Sequence, residues 1–147
     1  MSQETDLIKL YSARILALAA DIPHTDAPIA TAKKRSPLCG STVTVDLVTE
    51  GGQLTAFGQD VKACALGQAA ASVVGANIIG RTRSDVAAAR DQLRAMLKAD
   101  GPIPLAPFNG FEVLQPARDY KNRHASILLS LDATLDAFDA AEASNCA

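Results

Sequence analysis

The chain has no tryptophan, and only 4% of its residues are aromatic. It also has no excess of cations, since 14 Lys and Arg stand against 16 Asp and Glu and give a formal net charge of -2. This balance argues against binding of nucleic acid through its phosphates. No run of about 18 apolar residues is present, so we expect no membrane span. The first six residues are polar and acidic, unlike a secretory signal, and we expect a cytoplasmic protein.

The residue types that are abundant in the chain are typical of a folded, helix-rich protein. The length of 147 residues predicts a single domain, 1–147, with residues 1–5 and 142–147 as tails. Hydrophobic residues make up 48% and charged residues 20%, which excludes wholesale disorder. Alanine fills roughly a fifth of the chain, well above ordinary usage, and favours closely packed helices.

Periodicity predicts an α+β fold. Apolar residues recur at helical spacing over 6–20 behind Thr5 as N-cap, whereas 42–47 alternate with the period of a half-buried strand. Gly51 and Gly52 fit a hairpin turn that leads into a returning strand over 54–57, and residues 29–32 fit an edge strand. Further helices are expected over 63–74, from N-cap Ser84 to a stop formed by Asp-Gly-Pro at 100–102, and over 122–141, with an ordered proline-rich loop at 103–116. We therefore predict a small antiparallel sheet packed against one N-terminal and three C-terminal helices.

Two of the three cysteines lie where a thiol could do chemistry. Cys39 is in a turn punctuated by Pro37 and Gly40, which can present the thiol to solvent. Cys64 opens a predicted helix, where the helix dipole and free N–H groups favour the thiolate, the form that binds metal. Each is equally open to a plainer interpretation as a small buried residue. Without an export signal, reduced thiols are expected rather than disulfides.

The remaining candidates are weaker. His124 lies at the start of the last predicted helix on its apolar face, where a hydrogen-bonded core residue is the commoner role than a metal ligand. His24 lies in a proline-rich loop, and Cys146 is one residue from the end. The sequence has no CxxC pair, glycine-rich phosphate loop or HExxH motif, and no nucleophile–base–acid set can be recognised, so no enzymatic activity is predicted.

Taken together, several segments resemble one family in the correct order. The segment 36–41, Ser-Pro-Leu-Cys-Gly-Ser, resembles the Asn-Pro-x-Cys-Gly-Asp turn of the iron–sulfur cluster assembly scaffolds of the NifU N-terminal, IscU and SufU type. The segment 64–72, Cys-Ala-Leu-Gly-Gln-Ala-Ala-Ala-Ser, resembles their second cysteine motif, and Gly-Arg-Thr at 80–82 resembles the Gly-Lys-Thr after it. Arg-His-Ala-Ser at 123–126 resembles the third motif. The resemblance extends from about residue 7 to 141.

The resemblance implies a scaffold that binds iron, zinc or a nascent [2Fe–2S] cluster and passes it on. Thiolates suit both metals as soft donors. The implied ligands are Cys39, Cys64 and His124, with Ser41 in place of the family's Asp and Asp60 as a further candidate. The family's third cysteine falls on Ala125 or Ser126, depending on register, and neither is a soft ligand.

The incomplete ligand set leaves alternatives open. The chain could be a sulfur acceptor or zinc-bound accessory protein with Cys64 as its reactive thiol, or an interaction protein that has kept the fold without the metal. The implied partners are a cysteine desulfurase and apo iron–sulfur proteins, with no nucleic acid or membrane, and the expected state is a monomer or weak homodimer.

Overall fold

A computed structural model describes residues 29–37 and 40–145 of the chain. Its elements, in order, are β1 (Ala30–Arg35), β2 (Thr42–Glu50), β3 (Gln53–Lys62), α1 (Ala65–Asn77), α2 (Arg83–Lys98), two 3-10 segments (Phe108–Asp119 and Lys121–Arg123) and α3 (His124–Asn145). The predicted helix over 6–20 lies outside the described residues, as do His24, Cys39 and Cys146. Within the described ranges, no helix is both long and apolar enough to cross a bilayer.

The three strands form one antiparallel sheet in the order β1-β2-β3. The alternation predicted in β2 is confirmed, because Val43, Val45 and Leu47 are buried while the residues between them are only partly covered. The β2–β3 hairpin turns at Gly51 and Gly52, whose φ angles of 61° and 82° favour glycine. Both flanking strands are longer than expected, since β1 continues to residue 35 and β3 to residue 62.

The core lies between the sheet and the helices. Helix α3 packs against β1 and β2 on one side and against α1 and α2 on the other, so it is the central element of the described fold. Its apolar residues are buried along much of the helix, among them Ile127, Leu131 and Phe138. The α+β fold class predicted from the sequence is confirmed.

One buried amide links the sheet to two helices. Gln59 of β3 donates from Nε2 to the Ala71 carbonyl of α1 at 2.7 Å, and its Oε1 accepts from the Ser130 hydroxyl of α3 at 2.7 Å. Both polar ends of a side chain that is 5% exposed are therefore satisfied. The link fixes α1 and α3 relative to each other at the level of β3.

We expect Gln59→Ala to lower the free energy of unfolding by about 2–3 kcal/mol, since it leaves a cavity and removes both hydrogen bonds. Urea denaturation followed by circular dichroism measures the change. Gln53→Ala, at an exposed position in the hairpin, is the matched control and should alter stability by less than about 0.5 kcal/mol. Equal losses for the two variants would contradict a special role of the buried amide.

Several predicted helix boundaries were wrong, among them the end of α3, which is Asn145 and not residue 141. The N-cap of α2 is Thr82 rather than Ser84: its hydroxyl accepts from the Asp85 amide at 3.2 Å while the Asp85 carboxylate accepts from the Thr82 amide at 3.0 Å. This reciprocal pair satisfies two amides at once and outweighs a lone serine cap. Helix α1 runs through Gly75 to Asn77 instead of ending at 74, because Gly75 is buried inside the packed bundle.

The segment predicted as a proline-rich loop is largely a 3-10 helix. Phe108, Phe111, Leu114 and Ala117 are all buried, and their spacing of three matches the three residues per turn of a 3-10 helix. The rings of Phe108 and Phe111 stack with centroids 6.0 Å apart. The prolines concealed this period, so the expectation of a loop was wrong over residues 108–116.

Candidate functional site

Cys64 lies at the junction between β3 and α1, as the residue that caps the helix. Its carbonyl accepts the first helical hydrogen bond, from the Gln68 amide at 2.9 Å, and its backbone is extended, with φ -66° and ψ 171°. The side chain is partly buried and forms no disulfide. The sequence prediction placed this thiol in the first helical turn, and the structure moves it one step earlier, to the cap.

The surroundings of Cys64 favour its ionised form. Burial alone raises the pKa of the thiol, but the Gly67 amide, the Ser126 hydroxyl, the Leu66 amide and the charge of Arg123 together lower it below its ordinary value. Amides at a helix N-terminus stabilise a thiolate. Cys64 is therefore a partly accessible thiol whose surroundings lower its pKa.

Two buried hydroxyls adjoin this sulfur. The Oγ of Ser126, in the first turn of α3, lies 3.7 Å from the Cys64 Sγ and 3.0 Å from the Ser41 Oγ. Ser41 is 4% exposed and Ser126 1% exposed. The start of β2, the start of α1 and the start of α3 thus meet at one cluster, which we call the Ser41–Ser126–Cys64 cluster.

Helices α1 and α3 approach closely at this cluster because residue 67 is glycine. A Cβ placed on Gly67 would lie 2.6 Å from the Ser126 Oγ, 2.8 Å from the Ala63 Cβ and 3.2 Å from the Ser126 carbonyl oxygen. Such separations are shorter than van der Waals contact. The absence of a side chain at Gly67 lets the Ser126 hydroxyl reach Cys64.

The turn that precedes β2 is closed by its own backbone. The Gly40 amide donates to the Ser36 carbonyl at 2.9 Å, and the Ser36 amide donates to the Ser41 carbonyl at 2.8 Å. Gly40 has a φ of 70°, which confirms the tight curl predicted for this glycine. Leu38 and Cys39, within this turn, lie outside the described residues.

His124 is buried, as its helical register predicted, with 2% of its surface exposed. Its Nε2 lies 3.1 Å from the Ala117 carbonyl oxygen, and since a carbonyl only accepts, Nε2 carries the proton and donates. A metal bond through Nε2 would require breaking this hydrogen bond. In the described conformation the lone pair available to a metal is that of Nδ1.

The structure does not bring Asp60 to the cluster. Asp60 is exposed on β3 opposite Thr44, and it follows Gln59, whose side chain points to the helices. Neighbouring strand residues point to opposite faces, so the Asp60 carboxylate faces away from α1 and α3. Among residues 29–37 and 40–145, no group of three or more His, Cys, Asp and Glu side chains could hold a metal ion, so this part of the chain gives zinc no support.

Sequence reasoning named Ser126 only as a possible position of the missing cysteine, and it gave Arg123 and Gly67 no role in the site. Arg123 and Ser126 are three residues apart, a spacing that places two side chains on one face at the start of a helix. Of the two residues between which the register was left open above, Ser126 has its hydroxyl oxygen 3.7 Å from the Cys64 sulfur.

We predict that Ser126→Ala raises the pH at which Cys64 is alkylated by iodoacetamide, because the variant removes one of the groups that lower its pKa. In the folded wild-type protein, the pH of half-maximal alkylation of Cys64 should lie below the value measured for the protein unfolded in urea. Since folding lowers this pKa, the thiolate stabilises the fold above the unfolded-state pKa, and the gain is lost as the pH falls through the folded value. Peptide mass spectrometry distinguishes Cys64 from the other thiols, and an unchanged midpoint in the variant would contradict the assignment.

Comparisons with known proteins agree on one fold. The structure of a nitrogen-fixing NifU-like protein (N-terminal) from Brucella abortus matches with a TM-score of 0.76 and 44% identity over 93% of this chain and 97% of that chain. A structure described as an iron–sulfur cluster assembly scaffold protein for the SUF system, from Fervidobacterium islandicum, matches with a TM-score of 0.69 and 20% identity over 94% and 96%. A hypothetical protein matches with a TM-score of 0.70 and 18% identity over 89% and 98%.

No protein-family profile matches the chain, and no curated protein sequence does. The two neighbours at 18% and 20% identity show the fold alone. The Brucella protein is similar in sequence over nearly the whole of both chains. The chain therefore belongs to the NifU N-terminal, IscU and SufU family.

Proposed function

We propose that this protein is a scaffold on which an iron–sulfur cluster is assembled, with Cys64 as the thiol that receives the cargo. The observation that carries the proposal is the position of Cys64, a partly accessible thiol that caps α1 beside the Ser126 hydroxyl, in a chain 44% identical to a NifU-like protein. A thiolate is a soft donor suited to iron and is also the form that attacks sulfur.

Cys39 and His124 are the other proposed ligands. Cys39 is two residues before Ser41, so chain connectivity keeps its Cα within about 7.6 Å of the Ser41 Cα. Ser41 itself belongs to the Ser41–Ser126–Cys64 cluster, which supports a shared site for the two thiols. His124 would join through Nδ1, with Nε2 held by Ala117.

The proposed partners follow from the cargo. A cysteine desulfurase would supply the sulfur, apo iron–sulfur proteins would take the cluster, and the scaffold itself would not turn over as an enzyme. A reducing compartment, the cytoplasm, would keep the thiols free for this exchange. The proposal requires that sulfur and iron leave the site as readily as they enter.

Anaerobic reconstitution with ferrous iron and sulfide tests the proposal. We expect visible absorption to develop in the wild type, to be lost more than about tenfold in Cys64→Ser, and to be unchanged in Cys146→Ser, which serves as the matched thiol control. Absence of absorption in the wild type, or its persistence in Cys64→Ser, would overturn the role of Cys64. In a separate incubation with a cysteine desulfurase and cysteine, sulfane sulfur can pass from the desulfurase persulfide to Cys64 and leave the desulfurase thiolate behind. Persulfide on Cys64 in that incubation, without visible absorption after reconstitution, would identify a sulfur acceptor instead.

A further inference from the structure

One separation in the Ser41–Ser126–Cys64 cluster matches that of metal ligands. Bonds of 2.0 to 2.3 Å to one tetrahedral ion place neighbouring ligand atoms roughly 3.3–3.8 Å apart. The Ser126 Oγ lies 3.7 Å from the Cys64 Sγ, within this range, and 3.0 Å from the Ser41 Oγ, below it and at hydrogen-bond distance. The larger mismatch with a metal site lies in the chemistry of the atoms.

Neutral hydroxyls are poor ligands for zinc and ferrous iron. Both metals prefer thiolate, imidazole and carboxylate, and a hydroxyl that keeps its proton offers only a weak dipole. In this chain the two hydroxyls are also engaged with each other, in a place nearly closed to water. A metal that bound there would have to break that contact and gain little from the oxygens it obtained.

The other candidate metal ligand near the cluster, His124, is also held by a hydrogen bond. His124, two residues before Ser126, has its Nε2 committed to the Ala117 carbonyl at 3.1 Å. The remaining described group at the cluster is the Cys64 thiol, for which the Ser126 hydroxyl is a hydrogen-bond partner. Hydroxyl donors suit an anionic sulfur better than they suit a cation.

We propose that Ser41 and Ser126 are specificity-determining residues that keep the Cys64 site from holding a divalent metal tightly. The inference rests on the proposed function, because it takes Cys64 as the cargo-binding thiol. It adds that the two serines bias the site toward cargo held briefly on sulfur. It also assigns residue 126, rather than residue 125, as the position from which a third ligand would bind.

Zinc affinity, measured by competition with a chromophoric chelator, tests the role of the serines. The series is wild type, Ser41→Asp, Ser126→Cys and the double variant, each repeated with Cys39→Ser so that the Cys39 thiol does not contribute. The double variant should bind zinc more than about 100-fold more tightly than the wild type, a larger change than outer-shell partners of ligands usually control. Each single variant should give part of that gain.

Ala125→Cys is the matched control for position. It adds the same thiol one residue away, turned by about 100° around the helix, and should leave zinc affinity within about threefold of the wild type, since an added surface thiol supplies no shared geometry. The visible spectrum of bound Co²⁺ gives a second readout, because thiolate charge-transfer bands should strengthen in Ser126→Cys and stay unchanged in Ala125→Cys.

Wild-type zinc affinity equal to that of the double variant would overturn the inference, as would equal gains from Ala125→Cys and Ser126→Cys. Ser126→Cys replaces one oxygen atom by a sulfur atom and places no carboxylate in the core. It therefore tests the inference even where the buried charge of Ser41→Asp prevents folding. Reconstitution that fails in the wild type while the zinc series behaves as expected would refute the proposed function and leave the role of the serines standing.

Discussion

Gly67→Ala is expected to destabilise the protein by about 1–3 kcal/mol, although alanine is the better helix former. In an unhindered helix the change would stabilise by about 1 kcal/mol. Here the new methyl would lie 2.6 Å from the Ser126 Oγ and 3.2 Å from its carbonyl oxygen, and overpacking of this kind costs about 1–3 kcal/mol after relaxation. Because α3 is the central element of the described fold, displacing its first turn disturbs more than one contact.

The same substitution should separate the Ser126 hydroxyl from Cys64. Its effect on the Cys64 pKa would then resemble that of Ser126→Ala, and iodoacetamide reactivity would fall at neutral pH. Gly67→Ala, Ser126→Ala and the double variant form a double-mutant cycle with the wild type, in which urea denaturation measures the free energy of unfolding of each protein. A coupling energy of about 1 kcal/mol is expected, since removing the Oγ relieves the shortest contact.

Gly110→Ala is the control for a glycine without a close neighbour. Its Cβ would lie 3.4 Å from the Val73 Cγ1, which is ordinary contact, so its stability should stay within about 0.5 kcal/mol of the wild type. If Gly67→Ala stabilised the protein, α1 and α3 would be able to move apart without cost. That result would contradict the claim that the Ser126–Cys64 contact depends on glycine at position 67.

Local periodicity was sufficient to predict much of this architecture. The alternation in β2 and the paired glycines at 51 and 52 each depend on short-range rules, and both were predicted correctly. The inward position of His124 also followed from helical spacing. These features rest on which side of an element a residue occupies, and that is determined by local sequence.

Two of the features that were missed are local, and a third depends on contacts between distant segments. The Thr82 and Asp85 capping box was overlooked for a nearby serine, and the period of three over Phe108–Asp119 was concealed by prolines. Ser126 had no signature of its own. Its importance arises because the turn before β2 and the cap of α1 converge on it, 85 and 62 residues away in sequence. Only the packing of α3 against α1 brings these groups together.

His124→Ala is expected to lower the free energy of unfolding by about 3 kcal/mol, whether or not metal is present. The side chain is 2% exposed, so its loss creates a cavity and removes a hydrogen bond to the Ala117 carbonyl. That carbonyl keeps a second partner, the Tyr120 amide at 2.9 Å, so the loss falls short of the cost of an unpaired buried group.

His124→Gln separates the packing role of this residue from its proposed role as a ligand. A glutamine amide can donate from near the position of Nε2 but offers a metal no imidazole lone pair. It should therefore recover at least half of the stability lost in His124→Ala, as measured by urea denaturation. Reconstitution of His124→Gln with iron and sulfide then reports on ligation alone, in a protein that remains folded. Full visible absorption in that variant would remove His124 from the proposed ligands, whereas reduced absorption at near-native stability would support coordination through Nδ1.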